Sequence, residues 1–239
     1  MVVLVTGSSR GIGASVIRKF AIQGYDVVIN YNNSRDEALA LQKEINKYNV
    51  KSLVVKCDIS KEEEVKEMVD TIVKEFGGID VLVNNAGIAR DSLFEDKSVE
   101  DFRRVIDVNL IGTFIVSREV GKVMFNNGGS IINIASTNGI NTGYPESLDY
   151  DSSKAGVISL THNLAKVYAP KVRVNAVCPG WVDTDMNREL DEDFRKMECE
   201  KILLGRFGTC DEIADVVYFI TQASYVNDSI IRVDGGESA

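Results

Sequence analysis

Tyr150 and Lys154 stand four residues apart in a segment that reads as helix, and Ser136 precedes the tyrosine by fourteen residues. One helical turn sets the ammonium beside the phenol on a single face. A phenol is a poor proton donor near neutral pH, and a fixed cation next to it lowers its pKa by favouring the phenolate. Tyr150 is therefore a candidate general acid or base, and Ser136 a hydroxyl donor for a substrate carbonyl. At the start of the chain, Thr6-Gly7-Ser8-Ser9-Arg10-Gly11-Ile12-Gly13 follows an apolar run and opens a helical pattern. Such a turn offers free N–H groups and a helix dipole to a dinucleotide's pyrophosphate. These parts together are what hydride transfer to or from a carbonyl requires.

The elements that must position them are short β-branched runs: Val2 to Val5, Asp26 to Tyr31, Ser52 to Cys57, Asp80 to Asn84, Ser130 to Ala135, Val172 to Val177 and Ile230 to Val233. All but the last precede a segment of helical periodicity, as at Glu62 to Phe76, where Val65, Met68, Val69, Ile72, Val73 and Phe76 share one face. This alternation predicts an α/β fold: one doubly wound, Rossmann-type domain over residues 1–239, with a parallel sheet of about seven strands flanked by helices. Ligands of such sheets bind at the carboxyl ends of the strands, where strand order reverses. Residues 185–208 break the rhythm, are acidic from Glu189 to Asp193, and read as a small helical lid.

Composition narrows the classes. A hydrophobic content of 44% can fill a sizeable core, and a net charge of -9 disfavours nucleic acid and anionic membranes as partners. The opening lacks a secretory pattern and no run is long enough to span a bilayer, so a cytoplasmic protein is expected. Cysteines 57, 178, 199 and 210 have no metal-site spacing, and no metal is expected. His162, the only histidine, is assigned no chemistry.

The glycines at 7, 11 and 13 depart from the common G-x-G-x-x-G spacing. At the end of the second strand, where a carboxylate usually meets an unphosphorylated adenine ribose, stand Asn30 and Tyr31. Arg10 and Arg35 are near enough in sequence to pair with a 2′-phosphate, which favours NADP(H). Asn84-Asn85-Ala86-Gly87 closes the fourth strand with small and amide residues suited to adenosine. Asn109 is a polar residue in an apolar helical stretch, able to interrupt the helix and hold a water or simply to lie at the surface.

Taken in order and spacing, Thr6 to Gly13, Asn84 to Gly87, Asn109, Ser136, Tyr150 with Lys154, Pro179 to Thr184 and the closing Val233-Asp234-Gly235-Gly236 resemble the short-chain dehydrogenase/reductase family from end to end. The resemblance implies a catalytic set of Asn109, Ser136, Tyr150 and Lys154, with Asn109 anchoring a water in a proton relay. It implies cofactor contacts from Gly7, Ser9, Arg10, Gly11, Ile12, Gly13, Asn30, Asp58, Ile59, Asn85, Ala86, Gly87, Tyr150, Lys154, Pro179, Gly180, Val182 and Thr184. It also implies a homotetramer, paired through the helices Val99 to Phe125 and Tyr150 to Ala169 and the C-terminal segment.

Within the family, the run from Asn84 to Leu93 resembles the 3-oxoacyl-[acyl-carrier-protein] reductases, which implies reduction of an acyl-carrier-protein-bound ketone to a hydroxyl in fatty-acid synthesis. Such docking calls for basic residues, and Lys171 and Arg173 occupy one expected region, while Asn126 to Gly129 carries no cation. The loop Asn141 to Asp149 departs from the Gly-Gln-Asn pattern of those reductases. Its Tyr144, Glu146 and Asp149, with Trp181, suit a sugar, polyol or other small alcohol as the alternative substrate. A cofactor-sensing scaffold without turnover is the non-enzymatic alternative, against which the complete set of Ser136, Tyr150 and Lys154 argues.

Overall fold

The computed structural model describes residues 1–141, 143–187 and 190–237. Thr142, in the loop before Tyr150, and Glu189, the start of the acidic run, lie outside the described residues. The strands are β1 (Val2–Val5), β2 (Asp26–Tyr31), β3 (Ser52–Lys56), β4 (Val81–Asn84), β5 (Gly129–Ile134), β6 (Val172–Pro179), β7 (Val182–Asp183), β8 (Gly208–Thr209) and β9 (Ile230–Val233). Seven of them form one sheet in the order β3-β2-β1-β4-β5-β6-β9, every neighbour parallel. The runs expected from the sequence are these seven strands, displaced by no more than two residues at either end.

The helices are α1 (Gly11–Ile22), α2 (Arg35–Ile45), α3 (Glu62–Phe76), α4 (Val99–Ile106), α5 (Thr113–Met124), α6 (Leu148–Tyr168), α7 (Glu192–Lys201) and α8 (Cys210–Gln222). Because side chains alternate along a strand, Val3, Val5, Val27 and Ile29 point to one face. There they meet Ile17 and Phe20 of α1 and Ile213 and Val217 of α8. Val2, Leu4, Val28 and Leu82 point to the other, against Met68 and Ile72 of α3, Val116 and Val120 of α5, and Leu164 of α6. A sheet covered on both faces explains why its central strands read as continuous apolar runs.

Strand order reverses between β1 and β4, so the turns that follow these two strands lie side by side without a strand to separate them. Thr6 Oγ1 accepts the N–H groups of Asn85 at 3.0 Å and Ala86 at 3.1 Å, and Asn85 Nδ2 donates to the carbonyls of Thr6 and Gly7, both at 3.0 Å. Gly7 has φ +60°, and a Cβ there would sit 2.7 Å from Ala86 Cα. Between β7 and β8, which pair as a parallel two-stranded ribbon, the chain leaves the fold and returns to it. That excursion carries a 3-10 turn at Asp185–Asn187 and α7, so the helical segment expected at 185–208 is present, on a strand-paired base that the sequence did not announce.

Gly13 is fixed by the same junction: a Cβ there would fall 2.5 Å from Asn85 Nδ2 and 2.8 Å from Ser8 Cα. Gly13→Ala is expected to lower stability by about 1–3 kcal/mol through overpacking. Urea unfolding should record this as a lower midpoint at unchanged slope.

Candidate active site

A cleft of ≈ 390 Å³ opens along the carboxyl ends of β1, β4, β5 and β6. Of the residues expected from the sequence, Gly7, Ser9, Arg10, Gly11, Ile12, Asn30, Asp58, Ile59, Asn85, Ala86, Gly87, Ser136, Tyr150, Lys154, Pro179, Gly180, Val182 and Thr184 all line it. Gly13 and Asn109 do not. Gly13 is buried under the turn, and Asn109 is 1% exposed behind Gly87.

Asn109 lies in a π-helical turn, Asp107–Gly112, that joins α4 to α5. Such turns are rare and recur at functional sites. Its side chain is spent inside the protein: Oδ1 accepts the N–H of Ile88 at 2.8 Å, and Nδ2 donates to the Ile88 carbonyl at 2.9 Å and to Ser153 Oγ at 3.0 Å. Ser153 Oγ in turn donates to the Tyr150 carbonyl at 2.6 Å. The amide thus ties the turn after β4 to the helix that carries the tyrosine.

Ser136 stands just past β5, and Tyr150 and Lys154 come from the first two turns of α6. Burial pushes the phenol up to about 12, an effect only partly countered by its hydrogen bond with Ser136. Burial also brings the Lys154 ammonium down to about 8. Its Nζ donates to the Ile134 carbonyl at 2.7 Å and lies 5.5 Å from the Tyr150 ring centre. The phenol is thus raised by desolvation instead of depressed by its cationic neighbour, whose ammonium is itself desolvated and held by a backbone carbonyl.

The far end of the cleft suits an adenosine phosphate. Asn30 is buried, with Oδ1 accepting the Gly7 N–H at 3.0 Å and Nδ2 directed at the carbonyls of Val55 and Cys57 at 3.4 and 3.2 Å. Asn32, Asn33 and Ser34 extend the wall beyond it, and no carboxylate occupies the end of β2. Burial raises Asp58, but hydrogen bonds from Ser60 and the Arg104 guanidinium at 3.0 Å leave it below the usual carboxylate range. Arg104 also lines the cleft and had no local signal in the sequence. Arg10 is exposed at the N-cap of α1, whose first turn holds no acidic residue, and among the described residues it forms no ion pair. Arg35 is exposed and does not line the cleft. Glycine turn, open helix N-terminus and unpaired guanidinium fit a phosphorylated dinucleotide.

Of the residues read as sugar-binding candidates, Glu146 is exposed, and Tyr144, Trp181 and Asp149 are engaged with protein. Tyr144 Oη donates to Glu198 Oε2 at 2.8 Å, and Trp181 Nε1 donates to the same oxygen at 3.2 Å. Trp181 stacks on Phe207 at 5.3 Å. Asp149 is buried against Lys97. Arg173 is likewise committed, since its guanidinium donates to the carbonyls of Ile220, Thr221 and Val226 near the end of α8. No helix among the described residues is long and apolar enough to cross a membrane.

Residues 7–238 match the family model described as Enoyl-(Acyl carrier protein) reductase. The 3-oxoacyl-[acyl-carrier-protein] reductase FabG of Aquifex aeolicus (strain VF5) is 43% identical over 238 residues, 98% of this chain and 95% of that protein. A doubly substituted Serratia marcescens short-chain dehydrogenase/reductase superposes with a TM-score of 0.95 at 34% identity, covering 100% of this chain and 98% of its own. A gluconate 5-dehydrogenase from Burkholderia cenocepacia J2315, solved in complex with NADP and tartrate, gives 0.93 at 31% identity, covering 99% and 94%.

The bonding of Asn30 makes a counterintuitive outcome testable. Asn30→Asp would supply the carboxylate that an unphosphorylated ribose favours, yet it would turn an acceptor-only group on carbonyls that now receive an N–H. It is expected to cost about 3 kcal/mol of stability and to weaken both cofactors, read by thermal denaturation and cofactor titration, instead of switching preference to NADH.

Proposed function

The chain belongs to the short-chain dehydrogenase/reductase family of oxidoreductases, and we propose that within it the protein is an NADPH-dependent 3-oxoacyl-[acyl-carrier-protein] reductase. The observation that carries this reading is the meeting of Ser136, Tyr150 and Lys154 at one end of a cleft whose other end suits a phosphorylated dinucleotide. The acyl substrate is favoured by the name of the Aquifex relative and by the engagement of Tyr144, Trp181 and Asp149 with protein partners. A sugar or polyol, the class named for the Burkholderia enzyme, would find those recognition groups already paired.

A nicotinamide cofactor held by the glycine turn, Arg10, Asn85, Gly87, Lys154, Val182 and Thr184 would supply the hydride. Ser136 donates a hydrogen bond to the substrate carbonyl oxygen, and Tyr150 gives that oxygen its phenolic proton as negative charge builds there. Lys154 stabilises the phenolate left behind. Asn109 acts by holding the turn after β4 against α6. The same reading carries a cytoplasmic homotetramer, for which exposed Ile111, Phe114 and Phe125 on the α5 side and Phe219 near the C-terminus supply apolar surface.

NADPH oxidation with acetoacetyl thioester on acyl-carrier protein, with NADH and gluconate-type polyols as controls, tests the substrate. Rapid NADPH-dependent turnover is expected, and polyol oxidation with silent thioesters would overturn the assignment. Tyr150→Phe should lower kcat by about 10³-fold while NADPH affinity, followed by fluorescence, stays within about twofold of the parent. Arg10→Ala should raise the Kd for NADPH about 10- to 100-fold, the worth of one charge-assisted hydrogen bond, and leave NADH binding nearly unchanged.

A further inference from the structure

Lys97 and Asp149 form an ion pair at 3.1 Å with side-chain exposures of 4% and 0%. Both carboxylate oxygens of Asp149 accept from Lys97 Nζ, which also donates to the Arg90 carbonyl. Asp149 Oδ1 accepts a third bond, the backbone N–H of Tyr150, at 2.9 Å. Two more contacts sew the same segments together: Ser92 N–H to the Glu146 carbonyl at 3.1 Å and Ser147 Oγ to Asp91 Oδ1 at 2.8 Å. A buried ion pair adds little net stability over an apolar pair of the same volume, because desolvation consumes the Coulombic gain. Stability alone therefore does not account for it, and its position against the proton donor does.

We propose that Lys97 is a positioning residue for Tyr150: it clamps the loop after β4 onto the first turn of α6 and cancels the carboxylate next in the chain to the phenol. The inference rests on the reading of Tyr150 as general acid. The charged and titratable groups that face the phenol are Lys154 and Asp151 from α6, Asp91 from the loop after β4 and Cys178 from β6, with the Ser136 hydroxyl at the end of β5. Asp151 and Asp91 already act against the phenolate. The charge of Asp149 reaches this neighbourhood, since it helps to raise Asp151. An uncompensated Asp149 would add a further negative charge there, and an uncompensated Lys97 would add a positive one.

Opposite signs follow. Lys97→Gln keeps hydrogen-bond donors to Asp149 and Arg90 but removes the cation, so the alkaline limb of reductive turnover should move up by about one pH unit, with kcat reduced more than KM is raised. Asp149→Asn leaves the cation and should move the limb down. The neutral pair Lys97→Met with Asp149→Asn should return it to the parent position. Thermal denaturation of each variant separates these shifts from lost fold, and a limb unmoved in folded Lys97→Gln overturns the proposal. Should Lys97→Gln not fold, the Asp149→Asn limb decides: a downward shift supports the clamp, and no shift overturns it. A parent enzyme whose limb does not vanish in Tyr150→Phe overturns the reading of Tyr150 itself, and the inference with it.

Discussion

The bonding of Thr6 and Asn85 across the strand-order reversal is the constraint on which the rest of the site depends. Two turns emerge there with unpaired backbone groups and no neighbouring strand to satisfy them, a cost that buried amides do not tolerate. One hydroxyl and one carboxamide pair with four of those groups. This forces the glycine turn against Ala86 so closely that no side chain fits at position 7, and it leaves the start of α1 open toward the cleft. The surfaces proposed to hold phosphate and adenosine are thus one object, set by the topology of β1 and β4. Asn30 extends the same object by binding Gly7 from the other side.

The chemistry at the opposite end is organised by desolvation. Burial moves the Tyr150 phenol up to about 12, away from the range that eases proton transfer near neutral pH, and Lys154 down to about 8, toward it. The raised phenol is compatible with the proposed reaction because the oxygen to be protonated becomes an incipient alkoxide, far more basic than a phenolate. A phenol at about 12 remains a competent acid toward it. The same desolvation strengthens every hydrogen bond aimed at the developing charge, so preplaced donors at Ser136 and Tyr150 gain most when the oxygen turns negative.

Most of this was legible in the sequence because it is written in local patterns. Seven apolar runs, six of them followed by helical periodicity, gave the sheet, and motifs at strand ends gave the cleft lining, since parallel topology brings strand ends together whatever their separation in the chain. What escaped is non-local. Lys97 meets Asp149 across 52 residues and Arg104 meets Asp58 across 46, with no periodicity to announce either. Asn109 was recognisable as an interruption of a helix, but that its amide would be consumed by Ile88 and Ser153 follows only from the packing of α6. Arg173 and Arg35 illustrate the same limit: a guanidinium's charge is visible in sequence, and whether carbonyls or solvent already surround it is not.

The excursion between β7 and β8 shows how a departure from the strand-helix rhythm is still held to the site. Its base is clasped by the ribbon, and its helix is bound by Glu198, buried on α7 and satisfied by Tyr144, Trp181 and Lys201 together. Removing one donor would leave a desolvated carboxylate short of a partner, whereas the full set costs little. Tyr144 belongs to the loop between Ser136 and Tyr150, and its backbone N–H is held at 3.0 Å by Asp151, the residue after the tyrosine. Through these bonds α7, the loop before Tyr150 and α6 share one polar cluster. The aromatic side chains whose sequence pattern suits a small polar substrate, Tyr144 and Trp181, are the joint of that cluster.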